Sequence, residues 1–314
     1  MIAFVFPGQG SQYIGMGKDF YENYLEAQTI FEKAEKITGI PVKALSFEGP
    51  LEELTKTENL QVCLTTVNIA CFEVIKNQFK EILSKIHFVT GHSLGEFSAL
   101  YAGGVLTLEE ALLAVKERGR VMGEVGSSKP SGMYAVINLS LEKLEELVKS
   151  AEGPVVISNY NSPSQFVISG EEPYLTEVAE KAKALSAKVV RLKVSAGFHS
   201  PLMERAQQVF TEFLKTLHWS EPKVSFISAV TGKEETSAAS IFEVMTKQIV
   251  SPVRWISAVE YMYEKGVKIF VEVGPKKVLC GLISQILKDK EHKVFNVEDR
   301  GTLEQFSKEV WAFL

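Results

Sequence analysis

The sequence predicts an α/β protein: a large domain with a mostly parallel sheet covered by helices, carrying a small inserted α+β domain. Three observations point there. Apolar, β-prone segments alternate with helix-periodic ones over the first 125 residues and again from 199 onward, which suits a parallel sheet with helical crossovers. Between these halves the order becomes β-α-β-β-α-β, the ferredoxin-like pattern. A G-x-S-x-G motif at 91–95 joins a strand to a helix, the hydrolase-like context in which that motif has meaning. The expected division is 1–125 and 196–314 for the large domain, and 126–195 for the ferredoxin-like one.

Taken in order, IAFVF (2–6) is a strand followed by a Gly-rich turn, then a helical stretch near 18–38 and another near 61–80. IHFV leads a strand at 86–90, with helices near 94–102 and 108–122. GEVGSSKPSG (123–132) has loop composition and marks the boundary. Within the insertion, strands fall at 133–138, 154–158, 165–169 and 187–194, with helices at 141–150 and 172–185. After it come helix 201–217, strand 224–228, helix 240–249, strand 267–273 and helix 277–288.

Composition bounds the function. The 314 residues are 46% hydrophobic and 23% charged, enough for one large core or a large and a small one. No apolar run approaches the roughly 20 residues of a membrane span, so no membrane partner is expected. MIAFVFPGQG lacks the basic flank and cleavage site of a secretory signal. Cys63, Cys71 and Cys280 form an odd set without metal-ligand spacing, read as reduced structural thiols in a cytoplasmic protein. A net charge of −5 argues against nucleic acid as a partner.

Ser93 has two readings: a helix N-cap, or a nucleophile held at the crest of the sheet beside free backbone N–H groups. A nucleophile needs a base. Of the five histidines, His87 lies in an apolar strand and reads as core. His92 should point away from its neighbour Ser93, while His218 and His292 read as surface residues. His199, in SAGFHSPLM, precedes a helix with Ser200 as N-cap and Pro201 at its first position. Positive charge is disfavoured there, which keeps the imidazole neutral and able to accept a proton. The hydrolase order Ser, Asp or Glu, His finds no aspartate, since Asp19, Asp289 and Asp299 all lie outside 93–199, and a glutamate orienter there has no motif to recommend it. The base is therefore expected to be oriented by an uncharged acceptor.

Two further features stand out. At about 100° per residue, helix 106–122 buries Leu108, Ala111, Leu112, Val115, Gly119 and Met122 and puts Arg118 at the edge of that face. A buried guanidinium needs a partner: a local glutamate, or a substrate carboxylate gripped at two points. FPGQGSQ (6–12) follows the first strand but fails G-x-G-x-x-G, since Tyr13 holds the third position. Its backbone amides, Gln9's among them, are left to face a site.

FPGQGSQ, GHSLGE (91–96), Arg118, FHS (198–200) and KQIVSPVRW (247–255), with the NSPSQFVISG hairpin, together resemble the malonyl-CoA:acyl-carrier-protein transacylase family over nearly the full length. That resemblance implies a malonyl shuttle from malonyl-CoA to acyl carrier protein, with Ser93 as nucleophile, His199 as base and Gln248 in place of the missing aspartate. It also implies an oxyanion hole from the Gln9 and Leu94 amides, a carboxylate grip at Arg118, and crowding of an α-methyl group by Phe198. No metal or redox cofactor is implied, and a monomer is expected. Lys181, Lys183, Lys188, Arg191 and Lys193, with Lys129, are read evenly as a carrier-docking patch or as solvated charges. The rival readings are an acyltransferase or acyl-hydrolase serving a polyketide synthase, and an idle carrier-binding module.

Overall fold

The structure, a computed structural model, describes residues 1–126 and 130–310. Strand β1 (Ile2–Phe6) is buried at every residue. Its side chains alternate between two cores: Ile2, Phe4 and Phe6 face one, Ala3 and Val5 the other. An unbroken apolar strand is what a sheet covered on both faces demands. Parallel to β1 runs β2 (Ile86–Gly91), with Phe6 opposite Gly91. Because neighbouring parallel strands end on the same edge, the turns after β1 and β2 come together there.

The second sheet is contributed by β3 (Ser131–Ile137), β4 (Val155–Ser162), β5 (Gln165–Glu171) and β6 (Lys188–Arg191). Its pairings are antiparallel and its order is β4-β5-β3-β6, the ferredoxin-like arrangement. Helices Leu141–Lys149 and Tyr174–Ala184 supply its own core, through Leu144, Leu175 and Val178 packed on Val136 and Ile168. The chain then returns to the first sheet with β7 (Ser225–Ser228), β8 (Lys233–Glu235), β9 (Ile269–Val273) and β10 (Lys293–Val297). The order is β10-β9-β1-β2-β7-β8, parallel except at the edge strand β8. The two sheets are stitched where Tyr160 donates to the Val253 carbonyl at 2.9 Å and Val253 donates to that of Ser158 at 2.8 Å.

Beneath the site runs helix Thr57–Gln78, buried on nearly every side and packed against helix Leu108–Gly126. Each fully buried Phe, such as Phe97 or Phe210, is worth about 1.5–3 kcal/mol relative to exposure.

Several elements differ from expectation. The stretch 18–38 is two helices, Lys18–Asn23 and Leu25–Thr38, broken by the extended backbone of Tyr24. Helix Leu108–Gly126 continues into the expected loop, of which 127–129 lie outside the described residues, as does Lys129. The exposed edge strand β6 ends at Arg191, short of 194. Helix Trp255–Glu264, strand β10 and helix Arg300–Val310 were not expected, and their short or charge-interrupted patterns explain why. His87 is half-buried rather than core, with Nδ1 2.6 Å from the Lys85 carbonyl. Among the described residues no helix is long and apolar enough to cross a membrane.

Candidate active site

The turn that carries Ser93 is built by close backbone approach. A Cβ at Gly91 would collide with the Gly95 and Glu96 main chain, and one at Gly95 with the carbonyls of Phe6 and Pro7. Only glycine lets helix Gly95–Ala102 start so close to β1. Ser93 itself has φ 53°, a left-handed conformation that serine adopts at a cost. It is thus no ordinary N-cap; that position falls to Leu94, which makes no side-chain cap.

His199 arrives from the loop after β6, also in the left-handed region with φ 54°. Its Nε2 lies 2.7 Å from Ser93 Oγ. Its Nδ1 faces two main-chain carbonyls, Gln248 at 3.1 Å and Ser251 at 3.0 Å. Two acceptors at Nδ1 keep a proton there and leave Nε2 as the acceptor for the serine hydroxyl. Burial, and then the Arg118 charge, lower the imidazole pKa to about 3. The neutrality expected from a helix N-terminus therefore has another cause. Ser200 does cap the turn Pro201–Met203 that follows.

Gln248 supplies an uncharged acceptor to His199, and does so through its main chain. The acceptor that orients His199 is its carbonyl, joined by that of Ser251, and not its side chain. The side-chain amide instead donates from Nε2 to the Ser93 carbonyl at 2.9 Å and to Glu96 Oε2 at 2.6 Å. Its Oε1 accepts from Arg118 Nε at 3.1 Å.

Arg118 is only 2% exposed and sits deeper than the edge position its helical phase suggested. Its remaining donors reach Gln61 Oε1 at 2.9 Å and Ser93 Oγ at 3.1 Å, and Phe97 lies under its plane. All three hydrogen-bond partners are neutral. The local glutamate that could have paired with it, Glu96, acts on it through space with Gln248 in between. A buried cation held by neutral acceptors is ready to receive an anion.

These groups open into a cleft of about 220 Å³ between the two sheets. Gln9 lines it on one side, and Phe198, 4% exposed, lines it beside Met122, Met133 and Val167. Among the described residues, the backbone N–H groups of Gln9 and Leu94 have no protein acceptor, as an oxyanion hole requires. His92 turns from Ser93 to place Nε2 2.8 Å from Asn161 Oδ1, tying the serine turn to β4.

The seven residues expected at the site thus converge. Gln61, Glu96 and Asn161 were missed. Gln61 left no distinct signal, being one of several polar residues, with Asn59, Thr65 and Asn68, on its helix. Of the basic residues considered for docking, Lys181 pairs with Glu177, Lys183 with Glu180, and Arg191 lies 3.5 Å from Glu172.

Comparison with known proteins agrees with this architecture. The acyl transferase domain family matches residues 3–308. The malonyl CoA-acyl carrier protein transacylase of Bacillus subtilis (strain 168) is 38% identical, over 96% of this chain and 95% of that protein. Among solved structures, the malonyl CoA-acyl carrier protein transacylase of Clostridium perfringens superposes with TM-score 0.92 at 34% identity, covering 99% of this chain and 98% of that one. A malonyl-transacylase in complex with a type II PKS acyl-carrier protein superposes with TM-score 0.92 at 33% identity, covering 97% and 98%.

Proposed function

The chain belongs to the acyl transferase domain family, and from that membership and the cleft we infer that Ser93, His199 and Arg118 carry out malonyl transfer. The protein moves a malonyl group from malonyl-CoA to the phosphopantetheine thiol of an acyl carrier protein, supplying fatty-acid synthesis. The single observation that carries the residue assignment is Ser93 Oγ bonded at once to a neutral imidazole and a buried guanidinium.

Malonyl-CoA binds with its carboxylate on Arg118, where the fixed fork favours two-point contact. His199 Nε2 takes the hydroxyl proton as Ser93 Oγ attacks the thioester carbonyl. The amides of Gln9 and Leu94 receive the developing oxyanion. The carbon–sulfur bond breaks, and the His199 proton leaves with CoA. A carrier-protein thiol then attacks the serine ester by the same route in reverse. No metal or redox cofactor enters this sequence, and the reading is of a cytoplasmic, monomeric enzyme.

An acyl-hydrolase reading is disfavoured by a carboxylate grip that an editing enzyme would not need. A polyketide carrier remains a second acceptor, favoured by the relative solved with such a partner. The test is mass spectrometry after mixing with malonyl-CoA. Wild type gains one malonyl mass and Ser93→Ala none; a malonyl adduct on Ser93→Ala would dismiss this nucleophile.

A further inference from the structure

Glu96 is a carboxylate with no role in the steps above, yet it lies directly behind the site, bonded to Gln248. It is fully buried. Its Oε2 accepts from Gln248 Nε2 at 2.6 Å and its Oε1 from the Ala229 N–H at 2.8 Å, with the Ser228 hydroxyl as a further donor. These three donors are neutral. Arg118, from the helix across the site, is the charged group that acts on it, through the Gln248 amide. His199, beyond Arg118, is held neutral.

Resting on the malonyl-transfer reading, the charge balance has a consequence. The empty site holds one buried guanidinium and one buried carboxylate. Seating a malonyl carboxylate on Arg118 gives two buried anions to one cation, and an unmatched buried charge is removed by a change of protonation. The substrate carboxylate touches the guanidinium directly, whereas Glu96 reaches it only through an amide, so Glu96 is the group that gives way. We propose that Glu96 is a specificity-determining residue whose carboxylate balances Arg118 in the empty site and takes up a proton when malonyl is loaded.

The steps balance. In acylation the Ser93 Oγ–acyl bond forms, the carbon–sulfur bond breaks, and the serine proton passes through His199 to CoA. The additional proton comes from solvent and ends on Glu96. Loading of acetyl brings no carboxylate and needs no such proton. Burial already pushes the Glu96 carboxyl up to about 7, opposed by its hydrogen bonds and by Arg118, so little is needed to protonate it near neutrality.

The experiment is to mix stoichiometric enzyme with malonyl-CoA or acetyl-CoA in weakly buffered indicator solution at about pH 8, confirming the acyl adduct by mass spectrometry. Wild type should take up a proton in step with malonyl loading and none with acetyl. Its malonyl-to-acetyl ratio of kcat/KM should fall about tenfold per pH unit above the carboxyl's pKa. Near-isosteric Glu96→Gln should load malonyl without proton uptake and hold a flat ratio. A malonyl adduct on wild type without proton uptake overturns the inference and leaves the transfer reading intact, whether or not Glu96→Gln folds. Uptake persisting in Glu96→Gln also overturns it. No adduct at all overturns the transfer reading and the inference with it.

Discussion

His199 and Gln248 meet through the main chain: ring Nδ1 lies 3.1 Å from the Gln248 carbonyl oxygen, while the Gln248 side chain turns towards Glu96 and Arg118. Replacing that side chain should leave the orienter of the base in place. Gln248→Ala is expected to lower malonyl kcat/KM roughly tenfold to a hundredfold, because the side chain bonds the charged Arg118 and Glu96. A loss as deep as that of Ser93→Ala, measured by the malonyl-CoA burst, would mean that the amide and not the carbonyl holds the imidazole.

Arg118→Ala should separate the acyl donors. Losing a charge-assisted pair costs about 1.5–3 kcal/mol, so malonyl transfer should fall roughly tenfold to over a hundredfold. Acetyl transfer should change far less. Parallel loss of both substrates in a steady-state panel would contradict the grip.

The buried imidazole sets the pH behaviour. With its pKa lowered to about 3, His199 stays an unprotonated base at any pH above that value. Acetyl transfer, which brings no carboxylate, should therefore show no acid limb centred near 6.5; a limb there would place His199 in water. Stability runs with the same sign. The unfolded chain protonates this histidine near its ordinary value and the folded chain resists until about 3, so its contribution is present above 6.5 and lost as pH falls between them. Chemical denaturation across that window, compared with His199→Gln, checks it.

Much of this site was legible because motifs name side chains. Ser93, His199 and Arg118 were each marked by a turn, a cap or a helical phase, and the sheet by its alternation of segments. What stayed hidden was carried by backbone or by distant packing. Carbonyls at Gln248 and Ser251 leave no mark in residue identity, so a missing aspartate could be noticed but its substitute could not be located. Glu96 stands in the first turn of a helix, where the dipole welcomes any acidic residue, so its identity alone marks nothing. Only the fold brings Gln248 onto it, with Arg118 behind that amide. Strand β10 follows the charged KDKEHK, and pairing with β9 decides its fate more than its own pattern does.

Both side chains proposed to react, on Ser93 and His199, spring from left-handed backbone, a geometry that sets an L-residue back by about 1–2 kcal/mol. Glycine is spared it. Two chemically dead enzymes, Ser93→Gly and Ser93→Ala, should accordingly differ in thermal resilience, the glycine form melting higher because no Cβ is forced into that twist. Should they melt alike, the twist would be harmless; a higher-melting glycine form would mean that the turn presenting this hydroxyl weakens the fold that carries it.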